Sequence, residues 1–188
     1  ACLALARVPS LEALRYEPPG EWGRLLGLDR IPEVRTLREK LSVLCAQGAS
    51  VRQWSSMLAR EWMEAQPESA GTLYIDGHVR VYHGHLTALP RRYVARQRLC
   101  LRGTTDYWVN ALDGQPFFAV TQAVDPGLLR TLEGQIVPRL LTEVPGPPTA
   151  EELQADRFRA RFTLIFDREG YSPDFFKRQW EQRIAVIA

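Results

Sequence analysis

Apolar residues recur at helical spacing in the first third of the chain. One run closes near Gly48: Val34, Leu37, Leu41 and Leu44. A second run follows Ser50, which has the residue type of a helix cap: Val51, Trp54, Met57, Leu58 and Trp62. The pattern predicts two helices joined by AQGAS, either a plain packing pair or a helix-turn-helix that enters a DNA groove. The Pro- and Gly-rich segment before them predicts short helices and turns.

The pattern changes to strands from residue 71 onward. TLYID and HVRVY are rich in β-branched and aromatic residues, and LCLRGTTDYWVNALDGQPFFAVTQ predicts two strands around the turn Asp113-Gly114. Trp108, Phe117 and Phe118 are predicted to lie in the sheet core. A helix is predicted from about Pro126 to Glu143, because its apolar residues return at helical spacing.

The last quarter predicts two more strands around a helix. VPGPPTAEEL is a Pro-rich break, interpreted as a surface loop or an insertion. FTLIF is a continuous apolar run, typical of a buried strand in a parallel sheet. Ser172 is a cap and Pro173 a first-turn residue for a helix over PDFFKRQWEQR, and IAVIA is a final short strand.

This order of elements predicts an α/β fold. Three antiparallel strands lead into helix, strand, helix and strand, which makes a mixed sheet. We therefore expect a helical N-terminal region over residues 1–70 and a sheet domain over 71–188. The start of the sequence without methionine suggests part of a longer protein.

Two aspartates stand at strand positions in this arrangement. Asp76 lies within the first strand, and Asp167 directly follows FTLIF. If the two strands are neighbours, the carboxylates converge, and a hard divalent cation relieves their repulsion. Gly77 would then leave room for the backbone beside the metal. The alternative is a tight turn at Asp76-Gly77 between two short strands.

Charge is unevenly distributed along a chain of net charge +2. No Asp or Glu occurs from Gly77 to Thr105, whereas this stretch contains Arg80, Arg91, Arg92, Arg96, Arg98 and Arg102. Arginine matches phosphate oxygens in charge and geometry, so the stretch is a candidate DNA-backbone surface, with a solvated basic loop as the alternative.

Composition limits the classes of protein to which the chain can belong. The chain is 45% hydrophobic and 24% charged, as in a globular protein, and no apolar run is long enough for a membrane span. Cys2, Cys45 and Cys100 are far apart and predicted to be reduced and buried, without a disulfide or zinc framework. We expect a cytoplasmic protein with no membrane partner.

Three blocks resemble bacterial insertion-sequence transposases of the DDE type: LYIDGHVRVYHGH, LPRRYVARQRLCLRGTTDYWVNALDGQPFFAV and FTLIFDREGYSPDFF. The resemblance implies an RNase H-like catalytic core in which Asp76 and Asp167 are catalytic ligands of Mg²⁺ or Mn²⁺. It also implies DNA as partner, at element ends and target, a homodimer when intact, and a bacterial, nucleoid-associated location. The family's third acid, a Glu on a helix after the fifth core strand, is expected to be missing from this chain.

Other polar residues are secondary candidates. Arg168 can hold a scissile phosphate beside Asp167 or balance the charge of Glu169. Glu169 or Glu133 can supply a further carboxylate, although a surface position is favoured for each. His78 shares the strand face of Asp76, and His83 and His85 share a face if the strand continues through Gly84. For the histidines, phosphate contact or simple packing is favoured over zinc. Two other functions stay open: a non-catalytic DNA-binding remnant, and an RNase H-like nuclease that uses Asp76, Glu133 and Asp167.

Overall fold

The chain forms two compact units, Ala1–Trp54 and Ser55–Ala188. The computed structural model describes residues 7–8, 10–94, 98–123 and 127–188, without the side chains of residues 92, 123 and 169. The division falls inside a helix, because Ala59 and Met63 in its second half are buried in the core of the larger unit. The domain division proposed between residues 70 and 71 stays a prediction.

The smaller unit is helical, as predicted. It contains a 3₁₀ turn (Glu12–Tyr16), helix α1 (Pro19–Leu25), helix α2 (Val34–Ala46) and the start of helix α3 (Gly48–Ala65). Its apolar cluster consists of Val8, Leu14, Ile31 and Val34. The predicted AQGAS linker is wrong: α3 already begins at Gly48, so Gln47 alone separates the helices and Ser50 lies inside α3.

The larger unit carries the sheet. After α4 (Pro67–Ala70) come strands β1 (Thr72–Val81), β2 (Arg91–Val94), β3 (Leu99–Ala111) and β4 (Pro116–Ala123). A helical segment follows, with α5 (Leu128–Thr131), a π turn (Leu132–Ile136) and α6 (Val137–Glu143). The last elements are α7 (Ala150–Ala155), β5 (Phe162–Phe166), a 3₁₀ turn (Arg168–Gly170), α8 (Pro173–Glu181) and β6 (Ile184–Ile187).

The strand order confirms the predicted fold class. Strands run in the order β2, β3, β1, β5, β6, and β4 pairs with β3. The β1/β3 and β3/β4 pairs are antiparallel, whereas β1/β5 and β5/β6 are parallel. This is the RNase H-like mixed sheet of three antiparallel strands followed by helix, strand, helix and strand, with β2 as a short addition.

One face of the sheet forms the core. Alternate residues of β1, β3 and β5 are buried there, among them Leu73, Ile75, Val109 and Leu164. The helices cover them with Leu132, Ile136, Leu140 and Phe175. Phe175 meets Phe166 edge to face, with 5.9 Å between ring centroids. Phe117 and Phe118 are buried as predicted, whereas Trp108 is 38% exposed.

Several local predictions are corrected by the structure. Asp76 and Gly77 lie inside the continuous strand β1, so the hairpin alternative is wrong. The strand ends at Val81, which means that His83 and His85 share no strand face. Cys45 and Cys100 are exposed, not buried, and Cys2 lies outside the described residues.

Two helices differ from the pattern for identifiable reasons. The Pro-rich break contains α7, which begins with a capping box: Glu152 N donates to Thr149 Oγ1 at 3.2 Å, and Thr149 N donates to Glu152 Oε2 at 2.8 Å. The helix predicted from Pro126 is described from Leu128 to Glu143, and the π turn precedes Pro138. Pro138 has no N–H to donate, and its ring crowds the carbonyl four residues back, which favours a wider turn.

Candidate active site

The register of two parallel strands brings Asp76 and Asp167 together. Ile75 of β1 is the partner of Phe166 of β5, and each aspartate is the next residue on its strand. Neighbouring strands lie about 4.8 Å apart, so two side chains at this position lie within reach of one cation. Both aspartates are exposed, whereas Ile75 and Phe166 are buried on the opposite face.

Asp167 is held at the strand end by its own turn. Its backbone is still extended, with φ −70° and ψ 159°, and its Oδ1 accepts the N–H of Arg168 at 2.5 Å. Gly170 closes the 3₁₀ turn tightly over β5, because a Cβ there would lie 2.4 Å from Cε2 of Phe166. The turn therefore occupies one carboxylate oxygen of Asp167 and leaves Oδ2 for a ligand.

Asp76 lies on the sheet face opposite the core, which we call the open face. It is defined by Tyr74, Asp76, His78 and Arg80 of β1 and by Asp106 and Trp108 of β3. Trp108 is the direct cross-strand partner of Asp76, and Asp106 is that of His78. The predicted sharing of one strand face by His78 and Asp76 is confirmed, and both are exposed.

Gly77 has a different role from the one predicted. A Cβ at this position would lie 3.1 Å from Cε1 and 3.4 Å from Cδ1 of Tyr107, its cross-strand partner. Tyr107 is buried in the core. Gly77 therefore makes room for an aromatic ring on the core face and not for a metal on the open face.

A buried carboxylate lies beside this pair. Asp106 is only 3% exposed and accepts a hydrogen bond from Thr121 Oγ1 at 2.7 Å. Arg80 forms an ion pair with its second oxygen, while 66% of the Arg80 side chain stays exposed. Because the carboxylate is fully engaged, Asp106 holds Arg80 on the open face, two residues beyond His78.

The predicted basic residues lie at separate positions in the fold. Arg91 of β2 and Arg102 of β3 are direct cross-strand partners. Arg98 begins the return to β3 with φ 53°, and Arg168 is exposed next to Asp167. Arg96 and the side chain of Arg92 lie outside the described residues.

The secondary acidic candidates gain no support. Arg178 Nε donates to Glu133 Oε1 at 2.9 Å, so this carboxylate is engaged in an ion pair between two helices. The side chain of Glu169 lies outside the described residues. Within the described ranges no group of three or more His, Cys, Asp or Glu side chains is placed to hold a metal.

Two features of the open face, Trp108 and Asp106, were not predicted from the sequence. In TTDYWVN, Tyr107 and Val109 alternate with Asp106, Trp108 and Asn110, so strict period-two counting would have put Trp108 with the polar residues. Asp106 alternates with the apolar residues in the same way, so period-two counting would have placed it on the polar face as well. Its burial comes from Arg80 and Thr121 on two other strands, which no local pattern shows.

The strand order defines the class: an RNase H-like fold, in which two exposed aspartates follow the paired residues Ile75 and Phe166 of neighbouring parallel strands. The chain belongs to a transposase family, because the family model described as "Transposase protein" matches residues 1–188. The predicted transposase relationship is thereby confirmed. No curated protein sequence matches the chain significantly.

Two solved structures are similar to the chain. "Mos1 transposase paired-end complex with left transposon end" has a TM-score of 0.36 and 10% identity over 94% of this chain and 56% of that chain. "Crystal structure of a pre-cleavage Mos1 transpososome" has a TM-score of 0.35 and 9% identity over 94% and 57%. The chain therefore spans just over half the length of either one.

In the described part of the chain, no helix has the length and apolar character needed to cross a bilayer.

Proposed function

We propose that the protein cleaves DNA at the 3′ ends of a mobile element and joins those ends to target DNA, with Asp76 and Asp167 as ligands of Mg²⁺ or Mn²⁺. Membership of a transposase family supports DNA as the substrate. The observation that supports the proposal is the β1/β5 register: Ile75 pairs with Phe166, and the next residue on each strand is an exposed aspartate. A homodimer acting on bacterial nucleoid DNA is part of the same proposal.

The residues present fit a magnesium ion. Mg²⁺ keeps several waters and is commonly bound by one or two carboxylates together with substrate phosphates, so two aspartates on an exposed face suffice. Oδ1 of Asp167 is oriented by the N–H of Arg168, as a ligand carboxylate usually is by a neighbouring donor. When bound, such an ion activates the attacking oxygen and stabilises the leaving oxygen.

The surrounding side chains fit a nucleic-acid backbone. Arg80 is fixed by Asp106 with most of its side chain exposed, so its free N–H groups can hold a phosphate beside the aspartates. Arg168 is exposed and directly follows Asp167 in the chain. Trp108 and Tyr74 offer exposed aromatic surface for an unstacked base next to the site.

Two alternatives carry different expectations. A non-catalytic DNA-binding protein would use the same arginines but would need no metal at Asp76 and Asp167. An RNase H-like nuclease would recruit Glu133 as a third ligand, but the ion pair with Arg178 already engages that carboxylate.

The test is metal-dependent nicking of supercoiled plasmid by the full chain and by its Asp76→Asn and Asp167→Asn variants. Asp174→Asn, an exposed aspartate in the first turn of α8, is the matched control. DNA binding is measured separately in EDTA by fluorescence anisotropy. We expect nicking in Mg²⁺ or Mn²⁺ that either site variant reduces at least about a hundredfold, as for loss of a catalytic electrostatic group, with DNA binding retained.

Other outcomes discriminate between the alternatives. DNA binding without nicking in the parent would favour the non-catalytic protein. Nicking that survives Asp76→Asn would remove the assignment of the site. Equal loss in Glu133→Gln would favour the nuclease.

A further inference from the structure

A basic cavity lies at the far end of the open face from the aspartates. Its volume is about 290 Å³. It is lined by Tyr82, His83, His85, Arg91, Cys100 and Arg102, together with Gly84 and Leu101. Tyr82 N donates to Arg102 O at 2.8 Å, which continues the β1/β3 ladder by one residue and places Tyr82 on the strand face of Asp76.

The charge in this cavity is unbalanced. Arg91 and Arg102 are direct cross-strand partners, and like charges at such positions repel. The sequence from Gly77 to Thr105 contains no carboxylate that could neutralise them. An anion between the two guanidinium groups would remove the repulsion.

Arg102, which lines the cavity, also has an unused hydrogen-bond donor. Nε of Arg102 is buried and has no hydrogen-bond partner. A buried donor without an acceptor is destabilising, so native proteins usually supply an acceptor. Arginine presents its donors in a planar fork that matches two oxygens of a phosphate, which indicates the kind of acceptor this site takes.

The loop after β1, which contributes His83 and His85 to the cavity lining, is held in place by Tyr82. Tyr82 Oη accepts the backbone N–H groups of Leu86 and Thr87, both at 3.2 Å. The ring of Tyr82 folds over Gly84, where a Cβ would lie 2.4 Å from its Cζ and Oη. The hydrogen bonds of Thr87 and Leu86 and the charge of Arg102 lower the pKa of Tyr82, opposed by burial. Tyr82 thus fixes the segment that carries His83 and His85.

We propose that this cavity binds a backbone phosphate of the same DNA that is cleaved at Asp76 and Asp167. The inference rests on the proposed function. Tyr82 lies six positions after Asp76, which is about 20 Å at the rise of an extended strand. One turn of duplex DNA is about 34 Å long, so the cavity lies within one helical turn of the cleaved bond.

The test uses the full chain in EDTA with a fluorescent DNA duplex over a range of salt concentrations. The variants are Arg91→Gln, Arg102→Gln and both together, with Arg130→Gln on the exposed side of α5 as the matched control. Each single variant should lower the slope of log K against log salt by about one. The double variant should lose no more than about one, because both arginines contact the same phosphate. Thermal unfolding verifies that the variants stay folded.

A second readout uses inorganic phosphate as the probe. Ring proton resonances of His83 and His85 should shift on phosphate addition in the parent and not in Arg91→Gln/Arg102→Gln. The inference would be overturned if the variants had the same slope of log K against log salt as the parent. An additive loss of about two in the double variant would overturn it as well. Phosphate shifts without any DNA binding would overturn it as well, because the anion would not be a DNA phosphate.

These results are separable from those for the proposed function. If the parent nicks DNA but the arginine variants have the same salt slope as the parent, the proposed function would stand and the cavity would have no part in DNA binding. Reduced slopes without nicking would keep the cavity as a DNA contact in a non-catalytic protein.

Discussion

The two faces of strand β1 follow different rules. On the core face Leu73 and Ile75 are buried among helix side chains, and even Gly77 is fitted to the ring of Tyr107. On the open face the alternate residues are exposed, and they are an aromatic residue, a carboxylate, an imidazole and a guanidinium. One strand of ten residues thus separates stability from chemistry by the period of two.

Substitutions on the two faces of β1 should therefore have different effects. A change on the core face removes buried apolar contacts and lowers the free energy of unfolding. A change on the open face leaves the fold intact and alters what binds there. Adjacent residues of β1 can test this separation because each belongs to a different face.

The largest effect on stability is expected for Ile75→Ala. Ile75 is 3% exposed, and loss of buried methyl groups leaves a cavity, so the free energy of unfolding should fall by about 2–5 kcal/mol. Its neighbour Tyr74 is exposed, and Tyr74→Ala should cost about 1 kcal/mol or less. Urea denaturation measures both. Equal costs for the two variants would refute the separation of the faces.

Gly77→Val should have the next largest effect. The added side chain meets the ring of Tyr107, and overpacking of this kind costs about 1–3 kcal/mol. Gly134→Ala is the control, because no atom lies within 4 Å of a Cβ there. Thermal and urea unfolding compare the two. A neutral Gly77→Val would mean that the glycine serves the open face after all.

A smaller loss is expected for Thr121→Val. The substitution conserves volume but removes the hydroxyl that donates to Asp106 Oδ1, so it should cost about 1 kcal/mol. It should also weaken DNA binding, since Asp106 positions Arg80. Thr163→Val on β5 is the matched control. Unchanged stability and DNA binding would show that Asp106 needs only Arg80.

The smallest effect should have the opposite sign. Asp76→Asn removes one of two neighbouring like charges, and interactions between exposed charges are worth about 1 kcal/mol or less. The variant should therefore be equal to the parent or slightly more stable in EDTA, and Mg²⁺ should stabilise the parent alone. Unfolding midpoints with and without Mg²⁺ test this. A clear loss of stability in EDTA would give Asp76 a structural role.

Much of the fold was predictable because local patterns carry it. The turn signal Asp113-Gly114 predicted β3 and β4, the continuous apolar run FTLIF predicted β5, and Ser172 caps α8 through the N–H of Phe175 as its sequence indicates. The structure places the strands that carry or precede Asp76 and Asp167 side by side, and the metal site at the two aspartates stays a prediction. The helix α7 was missed because the prolines before it outweighed the capping box Thr149/Glu152.

The features that could not be predicted from the sequence depend on contacts between distant segments. Asp106, Arg80 and Thr121 come from three strands, so their network exists only in the folded sheet. The pairing of Arg91 with Arg102 also exists only in the folded sheet. The sequence shows that both residues are basic, but not that they are direct cross-strand partners. The role of Gly77 was misassigned because the ring that fills its space belongs to the partner strand.

The most direct test of the central claim is where Mn²⁺ binds. Substoichiometric Mn²⁺ added to the ¹⁵N-labelled full chain should broaden the amide resonances around Asp76 and Asp167 first. The broadening should vanish in Asp76→Asn and in Asp167→Asn and persist in Asp174→Asn. Broadening elsewhere, or broadening around Asp76 that survives in Asp167→Asn, would show that the two aspartates do not form one metal site.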